Sequence, residues 1–236
     1  MKNHSITVVL PAHNEAPRLE NSIIEIERIL KGSPYEIIIS EDGSTDGTDK
    51  IAASMASRNK KIIHLHSDER KGKGKAIKDA FKISSGDIIS FMDVDLASDI
   101  NDFPRLIETI ENGADIAIGS RHLPESKVER SFRRAIFSKG YNFLAELLFN
   151  AEIKDLQCGF KAFHKNTLPI LLSAKNDGFL WDTEVLVLAK RKGFKIVEVP
   201  ITWREGGKSK VKLLKDSFKI LYSLSKLKKN QLFKNQ

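Results

Sequence analysis

Residues 87–95 read Asp87-Ile88-Ile89-Ser90-Phe91-Met92-Asp93-Val94-Asp95. The first six form an apolar, β-rich run that does not alternate with polar residues, the pattern of a strand buried on both faces. The run ends in two carboxylates one residue apart. Upstream, Ile6–Leu10, Tyr35–Ile39 and Ile62–Leu65 repeat the strand pattern, and downstream Ala114–Ile118 repeats it again. Helical spacing fills the gaps: 15–31, about 49–57, a segment ending near Ser84, and about 101–112. Gly32-Ser33-Pro34 stops the first of these helices. Strands alternating with helices over 6–118 predict a doubly wound, mostly parallel Rossmann-like sheet flanked by helices, in a single domain. Ligands of such sheets sit beyond the carboxyl ends of the strands. The loops at 11–15, 41–48 and 93–97 all follow strands and share that edge.

After residue 119 the alternation fades. Residues 130–150 read as a basic, apolar helix, Glu184–Lys192 as a helix, and Lys195–Val199 as a short strand. The division expected is a main domain over 1–212 and a basic helical tail over 213–236.

The chain has 236 residues, with 39 Lys+Arg against 31 Asp+Glu, a net charge of +8. That balance favours anionic partners without choosing among them. Cys158 is the only cysteine, so an intrachain disulfide and a Cys-based zinc site are excluded, and a reducing, cytoplasmic location fits. No stretch approaches the ~18–20 uncharged apolar residues of a spanning helix, and residues 1–5 carry no signal-peptide apolar region. A nucleic-acid-binding module, suggested only by the charge, lacks an RNP-type aromatic motif and zinc-finger spacing.

Asp93 and Asp95 carry the sharpest chemistry. Their like charges repel, and a hard divalent cation with phosphate oxygens would remove the conflict. A plain turn or helix-cap pair of aspartates is the alternative. Asp42, after the second strand, is placed to accept hydrogen bonds from a base N–H or a ribose hydroxyl, with Glu41 beside it. The same Asp-Gly-Ser-Thr-Asp-Gly stretch also suits simple turns. Gly207-Lys208-Ser209 imitates a P-loop end, but Thr202 stands where its first glycine is required. No G-x-G-x-x-G follows the first strand. Gly72-Lys73-Gly74-Lys75 would set cations near phosphates or form a solvated basic turn.

In order along the chain stand Pro11-Ala12-His13-Asn14-Glu15, Glu41-Asp42-Gly43-Ser44-Thr45-Asp46-Gly47-Thr48, Lys71-Gly72-Lys73-Gly74-Lys75-Ala76, Asp93-Val94-Asp95 and Gly119-Ser120-Arg121. Asp155-Leu156-Gln157-Cys158-Gly159-Phe160-Lys161, Trp181-Asp182-Thr183-Glu184 and Glu198–Ile201 through Ser209-Lys210 follow. Over about 5–212 this ordered set resembles family 2 glycosyltransferases of the polyprenyl-phosphate branch, the dolichyl-phosphate glucosyl- and mannosyltransferases. The resemblance implies a GT-A fold and a metal-dependent, inverting hexose transfer from a nucleotide sugar, UDP-glucose or GDP-mannose, to polyprenyl or dolichyl phosphate. It places Pro11, His13 and Glu15 in the first nucleotide-binding segment and Asp42, with Glu41, at the base or ribose. Asp93 and Asp95 fall at a Mg²⁺ or Mn²⁺ and diphosphate site, and Arg121, Arg204 and Lys210 near the diphosphate and acceptor phosphate. Glu41 replaces a more usual Asp, His13 a common Tyr, and Ala97 stands where many mannosyl members carry a Gln. The stretch 155–161 looks more like the glucosyl branch.

A lipid phosphate is already anionic near neutral pH, its second pKa being about 6, so its attack needs no general base. The alternative is a saccharide or other hydroxyl acceptor. It would need a base, for which Asp182 or Glu184 are the candidates; both also suit a helix N-terminus, Asp182 as its cap. A lipid acceptor further implies peripheral attachment at the cytoplasmic face of a membrane, through 130–150 or 212–229, with or without a membrane-anchoring subunit. The other reading of both segments is a helix packing its apolar face on the core.

Overall fold

The computed structural model describes residues 4–205 together with 224, 225 and 228. Lys210, the segment 212–229 apart from those three residues, and the rest of the 213–236 tail lie outside the described residues.

The elements run β1 (Ile6–Ala12), α1 (Ala16–Leu30), β2 (Tyr35–Glu41), α2 (Thr48–Arg58), β3 (Ile62–Leu65), α3 (Lys73–Ile83), β4 (Ile88–Met92), α4 (Phe103–Glu111), β5 (Ile116–Ser120), β6 (Lys127–Glu129), α5 (Phe132–Phe149), β7 (Phe160–His164), α6 (Leu168–Ser173), α7 (Trp181–Arg191), β8 (Ile196–Pro200) and β9 (Thr202–Arg204). Seven strands form one sheet in the order β3-β2-β1-β4-β7-β5-β8, and β6 pairs with β9 in a small parallel ribbon. The five inner strands β2, β1, β4, β7 and β5 are buried along most of their length, as their apolar runs require, while the edge strands β3 and β8 are mostly half-buried.

The sheet is mostly parallel, as expected, but β7 enters it antiparallel between β4 and β5. Its Phe160-Lys161-Ala162-Phe163-His164 puts a lysine at the centre of the sheet, a residue that reads against a central strand. Tertiary contacts override that signal: Lys161 is buried, and its ammonium donates to Asp182 Oδ1 at 2.6 Å and to the carbonyls of Cys158 and Leu156. β1 also runs two residues beyond the expected end at Leu10, through Pro11 to Ala12. Its pairing with β4 ends at Val9, so Pro11, which has no N–H to give, lies where β1 keeps β2 as its sheet partner. Pro200 similarly closes the edge strand β8.

Beneath the carboxyl edge of β4 the core is aromatic. Phe81, Phe91, Phe163 and Trp181 contact one another at centroid distances of 5.7–6.2 Å. This rigid floor underlies the Asp93–Asp95 turn. Val94 points into the core between the two aspartates, which contributes about 1.5–3 kcal/mol. That suffices to hold the next-but-one residue, Leu96, in a left-handed conformation at φ 47°, a strain of about 1–3 kcal/mol.

Candidate active site

Asp93 and Asp95 leave the end of β4 on opposite sides of buried Val94. The Asp93 N–H donates to the Gly159 carbonyl at 3.1 Å, and its carboxylate lies so close over Gly159 that a Cβ there would run into it. A glycine at 159 is therefore a packing requirement of the Asp93 side chain. Asp95 Oδ1 accepts the Ala97 N–H at 3.1 Å. Burial, then the neighbouring Asp93 charge, push the Asp95 carboxyl above the usual carboxylate range. The pair thus carries an unresolved like-charge conflict. Lys73 partly answers it, with Nζ 2.7 Å from Asp93 Oδ1. Although burial opposes the lysine's charge, Asp93 and Asp182 hold its pKa above the ordinary value. A cation is thus already drawn to Asp93. An all-oxygen donor pair with this unbalanced charge fits a hard divalent ion such as Mg²⁺ or Mn²⁺.

Arg121 follows β5 and forms the opposite wall. Its guanidinium grips Asp155 in a fork, Nε to Oδ2 at 2.7 Å and one terminal nitrogen to Oδ1 at 2.8 Å, while its own N–H also donates to Oδ2. Burial works against the Asp155 charge, but Arg121 holds the carboxyl below the usual range. The guanidinium stands 5.6 Å over the Trp203 ring. Asp93, Asp95, Arg121, Gln157 and Trp203 line one cleft. Gln157 donates to Thr183 Oγ1 at 2.7 Å and to the Tyr141 hydroxyl at 3.0 Å, which leaves its buried Oε1 with no partner among the described residues. Burial pushes the adjacent Cys158 thiol up to about 12, so that cysteine is a packing residue.

At the ends of β1 and β2, His13 Nδ1 is 2.7 Å from the Asp42 carbonyl oxygen. Asn14 turns the chain at φ 55° and its amide oxygen accepts the Thr45 N–H. The Glu15 N–H donates to Thr48 Oγ1 at 2.8 Å. His13 and Glu15 therefore stand in one cluster with the Asp42 loop, while Pro11 lies in β1 beside Ser40 of β2. The Asp42 carboxylate accepts the N–H groups of Lys71 at 2.7 Å and Gly72 at 2.9 Å, which pins the loop that launches α3 and Lys73. Gly72, at φ +107° and backed by the Asp177 carbonyl, gives this close approach its room. Glu41 is buried and turns away from Asp42's partners: it accepts the Ser44 N–H and binds His66 Nδ1.

The remaining candidates are placed differently. Asp182 is no helix cap: Leu180 holds that position, and Asp182 lies in the first turn of α7, buried against Lys161. Glu184 accepts the N–H groups of Lys175 and Asn176. Arg204 is exposed on β9, 3.5 Å from Glu129, while its backbone N–H donates to the Ala97 carbonyl beside the Asp95 turn. Lys73 stands in the basic loop expected near phosphates, whereas the sequence gives Asp155 and Gln157 no role; for all three only the fold reveals the partner.

The fold is of the GT-A type, and similarity to known proteins agrees. The family model "Glycosyl transferase family 2" matches residues 7–169, and the chain belongs to that family. It is 39% identical over 217 residues to the Haloferax volcanii glycosyltransferase AglD, a match covering 89% of this chain and 35% of that protein. It is 33% identical to the Saccharomyces cerevisiae dolichyl-phosphate beta-glucosyltransferase, covering 93% and 72%. It is 36% identical to the Pyrococcus furiosus dolichol-phosphate mannosyltransferase, covering 88% and 59%. The chain thus spans about a third of the first of these relatives and well over half of the other two. Among solved structures, mannosyl-3-phosphoglycerate synthase from Rubrobacter xylanophilus superposes with a TM-score of 0.73 at 17% identity, covering 98% of this chain and 75% of that one. Glucosyl-3-phosphoglycerate synthase from Mycobacterium tuberculosis, solved with Mn²⁺, UDP and glucosyl-3-phosphoglycerate, gives 0.68 at 22%, covering 94% and 80%.

Proposed function

We propose that the protein transfers a hexosyl group from a nucleotide sugar to a polyprenyl or dolichyl phosphate, with inversion at the anomeric carbon. The observation that carries this reading is a single cleft in which the Asp93–Asp95 pair faces Arg121 and Gln157, with a helix packed behind Gln157 whose outer face exposes large apolar side chains. In α5, Tyr141, Ala145 and Phe149 face inward, and Tyr141 touches Gln157. Phe132, Ile136, Phe143 and Leu147 face outward and are 57–79% exposed. Such a face suits the acyl boundary of a bilayer, where a lipid acceptor resides. No helix among the described residues is long and apolar enough to cross a membrane. Attachment through α5, at the cytoplasmic face, is part of the proposed reading.

The acceptor phosphate oxygen would attack the anomeric carbon as the bond to the nucleoside diphosphate breaks. Mg²⁺ or Mn²⁺ held by Asp93 and Asp95 would supply Lewis-acid neutralisation of the diphosphate, worth several kcal/mol. Arg121, held rigid by Asp155, presents positive charge to the same cleft. Lys73 can follow the negative charge from Asp93 to a phosphate oxygen. Pro11, His13, Glu15 and Asp42 would shape the nucleoside end, and Arg204, with Lys210 by the family resemblance, would meet phosphate. Asp182 acts through Lys161 as a positioning residue: the ammonium ties together the Leu156 and Cys158 carbonyls, fixing the loop that carries Asp155, Gln157 and Gly159. A hydroxyl acceptor would require Asp182 or Glu184 as base, and both carboxylates are committed to other partners.

The test is transfer of radiolabel from UDP-glucose and, separately, GDP-mannose to polyprenyl phosphate in detergent with Mg²⁺ or Mn²⁺, with Asp95→Ala alongside. Lipid-linked product from one donor, lost on chelation and in the variant, identifies donor and acceptor together. Transfer to a saccharide with no lipid product would overturn the lipid-phosphate reading.

A further inference from the structure

Away from the Asp93–Asp95 pair, on the far edge of the sheet, Glu41, His64 and His66 bring one ligand atom each to within 4.8 Å of one another. The strand register explains the meeting. His64 in β3 pairs alongside Ile39 of β2. Two residues on, His66 emerges on the same side, opposite the end of β2 where Glu41 lies. The two imidazole centroids are 5.7 Å apart. Three features go beyond chance proximity. His64 Nε2 is buried and has no hydrogen-bond partner among the described residues. Glu41 Oε2 already lies 2.6 Å from His66 Nδ1, so one bridging proton holds two ligand atoms together, somewhat closer than the roughly 3.3 Å a tetrahedral ion would set. The other nitrogen of His66 is 3.2 Å from Asp68 Oδ1, the carboxylate–histidine arrangement that orients ligating imidazoles.

We propose that Glu41, His64 and His66 form a second cation site, selective for a divalent transition metal of the zinc class, with one position open to solvent. Two imidazoles and one carboxylate suit zinc, cobalt, nickel or copper far better than magnesium. The oxygen-only pair at Asp93 and Asp95 has the opposite preference, so the two sites divide the available ions. Binding would displace the proton between Glu41 and His66. It would also clamp the ends of β2 and β3 next to Asp42, whose carboxylate pins the loop leading to Lys73.

The experiment titrates Co²⁺, then competing Zn²⁺, into the chelator-treated full chain in millimolar Mg²⁺. It follows the visible d–d absorption of Co²⁺ and the Tm with and without Zn²⁺. One equivalent binding with micromolar or tighter Kd is expected, together with a Zn²⁺-dependent rise in Tm. Weakening by at least tenfold is expected in His66→Ala and in His64→Gln, with no change in Asp93→Asn or Asp95→Asn. Glu41→Gln, which keeps the side chain's size, checks that loss in the histidine variants is loss of a ligand rather than of fold. Binding that survives all three ligand substitutions, binding lost in Asp95→Asn instead, or no saturable binding would each overturn the proposal.

Discussion

Lys73 Nζ lies 2.7 Å from Asp93 Oδ1, so the first carboxylate of the metal-type pair is held by a protein cation from the loop that Asp42 anchors. Any divalent ion arriving at Asp93 competes with that ammonium. Lys73→Met should therefore tighten Mn²⁺ binding in the absence of nucleotide, by about threefold, the worth of a partly exposed ion pair of ~0.5–1 kcal/mol. The same variant should weaken nucleotide-sugar binding, because it removes a charge from the diphosphate. Isothermal titration of Mn²⁺ and of UDP-glucose or GDP-mannose separates the two effects. Parallel weakening of both would show that Lys73 supports the metal site rather than competing with it.

Asp95 sets stability against activity. Burial and Asp93 raise its carboxyl pKa in the folded state, so the neutral form is the one the fold favours. The stabilising contribution is complete below the unfolded carboxylate value, about 3.9, and is lost as pH rises through the raised folded value. At pH 7 the metal-free protein carries the charged form at a cost. Asp95→Asn should raise the Tm of the metal-free protein at pH 7, by ~2 °C or more. The gain should shrink as pH falls toward the carboxylate range. Transfer activity should fall by at least ~10²-fold, the scale of losing one electrostatic contact to a developing charge. Scanning calorimetry at two pH values with EDTA, beside the transfer assay, reads both. A lower Tm at pH 7 would refute the stated cause.

Gly159 tests how tightly Asp93 is placed. With a Cβ at 159 running into the Asp93 carboxylate, Gly159→Ala must rotate that side chain off its position. A loss of ~10-fold or more in kcat is expected, since small misplacements of a catalytic group are costly. Mn²⁺ affinity should fall in step, and the far-UV spectrum should stay that of the parent. Unchanged Mn²⁺ affinity would mean that Asp93 does not need its observed conformation to bind metal.

How much of this was readable beforehand follows from where each signal resides. Ile88–Met92 and Asp93–Asp95 advertise a buried strand and its loaded end within nine residues, so fold class and metal-type pair were legible. β7 was not: Lys161 interrupts it, and only the distant Asp182 and two carbonyls make a lysine tolerable there. The partners of Lys73 and Asp155 lie 20 and 34 residues away, a separation no local pattern encodes. Glu41 read as Asp42's companion because they are adjacent, whereas strand alternation sends their side chains to different neighbours. In α5, sequence showed an apolar helix but not which side the core would claim; Tyr141, Ala145 and Phe149 settle that.

The Lys161–Asp182 pair is buried on both sides, with 1% and 4% side-chain exposure, and breaking one half leaves a charge stranded in the core. Lys161→Met should destabilise by about 3–5 kcal/mol, read as a lowered urea midpoint. Lys161→Met combined with Asp182→Leu should recover a substantial part of that, because no unpaired charge remains. Activity should stay low in the double variant, since the Leu156 and Cys158 carbonyls have lost the group that tied them. Full activity in a refolded double variant would remove Lys161 and Asp182 from any role in positioning the 155–159 loop.

The outward face of α5 gives the membrane reading its own test, independent of chemistry in the cleft. Phe143 and Leu147 are 69% and 70% exposed, one helical turn apart, and neither contributes to the inward face built by Tyr141, Ala145 and Phe149. Replacing both by glutamate should leave folding and nucleotide-sugar affinity unchanged. Each side chain is worth about 1.5–3 kcal/mol when fully buried in an apolar phase. Even partial insertion then makes the pair worth more than one decade of partitioning, at about 1.4 kcal/mol per decade. Sedimentation with vesicles containing anionic lipid should show at least a tenfold fall. Transfer to a short, water-soluble prenyl phosphate should persist, while transfer to a long-chain acceptor in vesicles should drop with the binding. Equal vesicle binding by the parent and the double-glutamate variant would assign this apolar face to a protein neighbour instead of a bilayer.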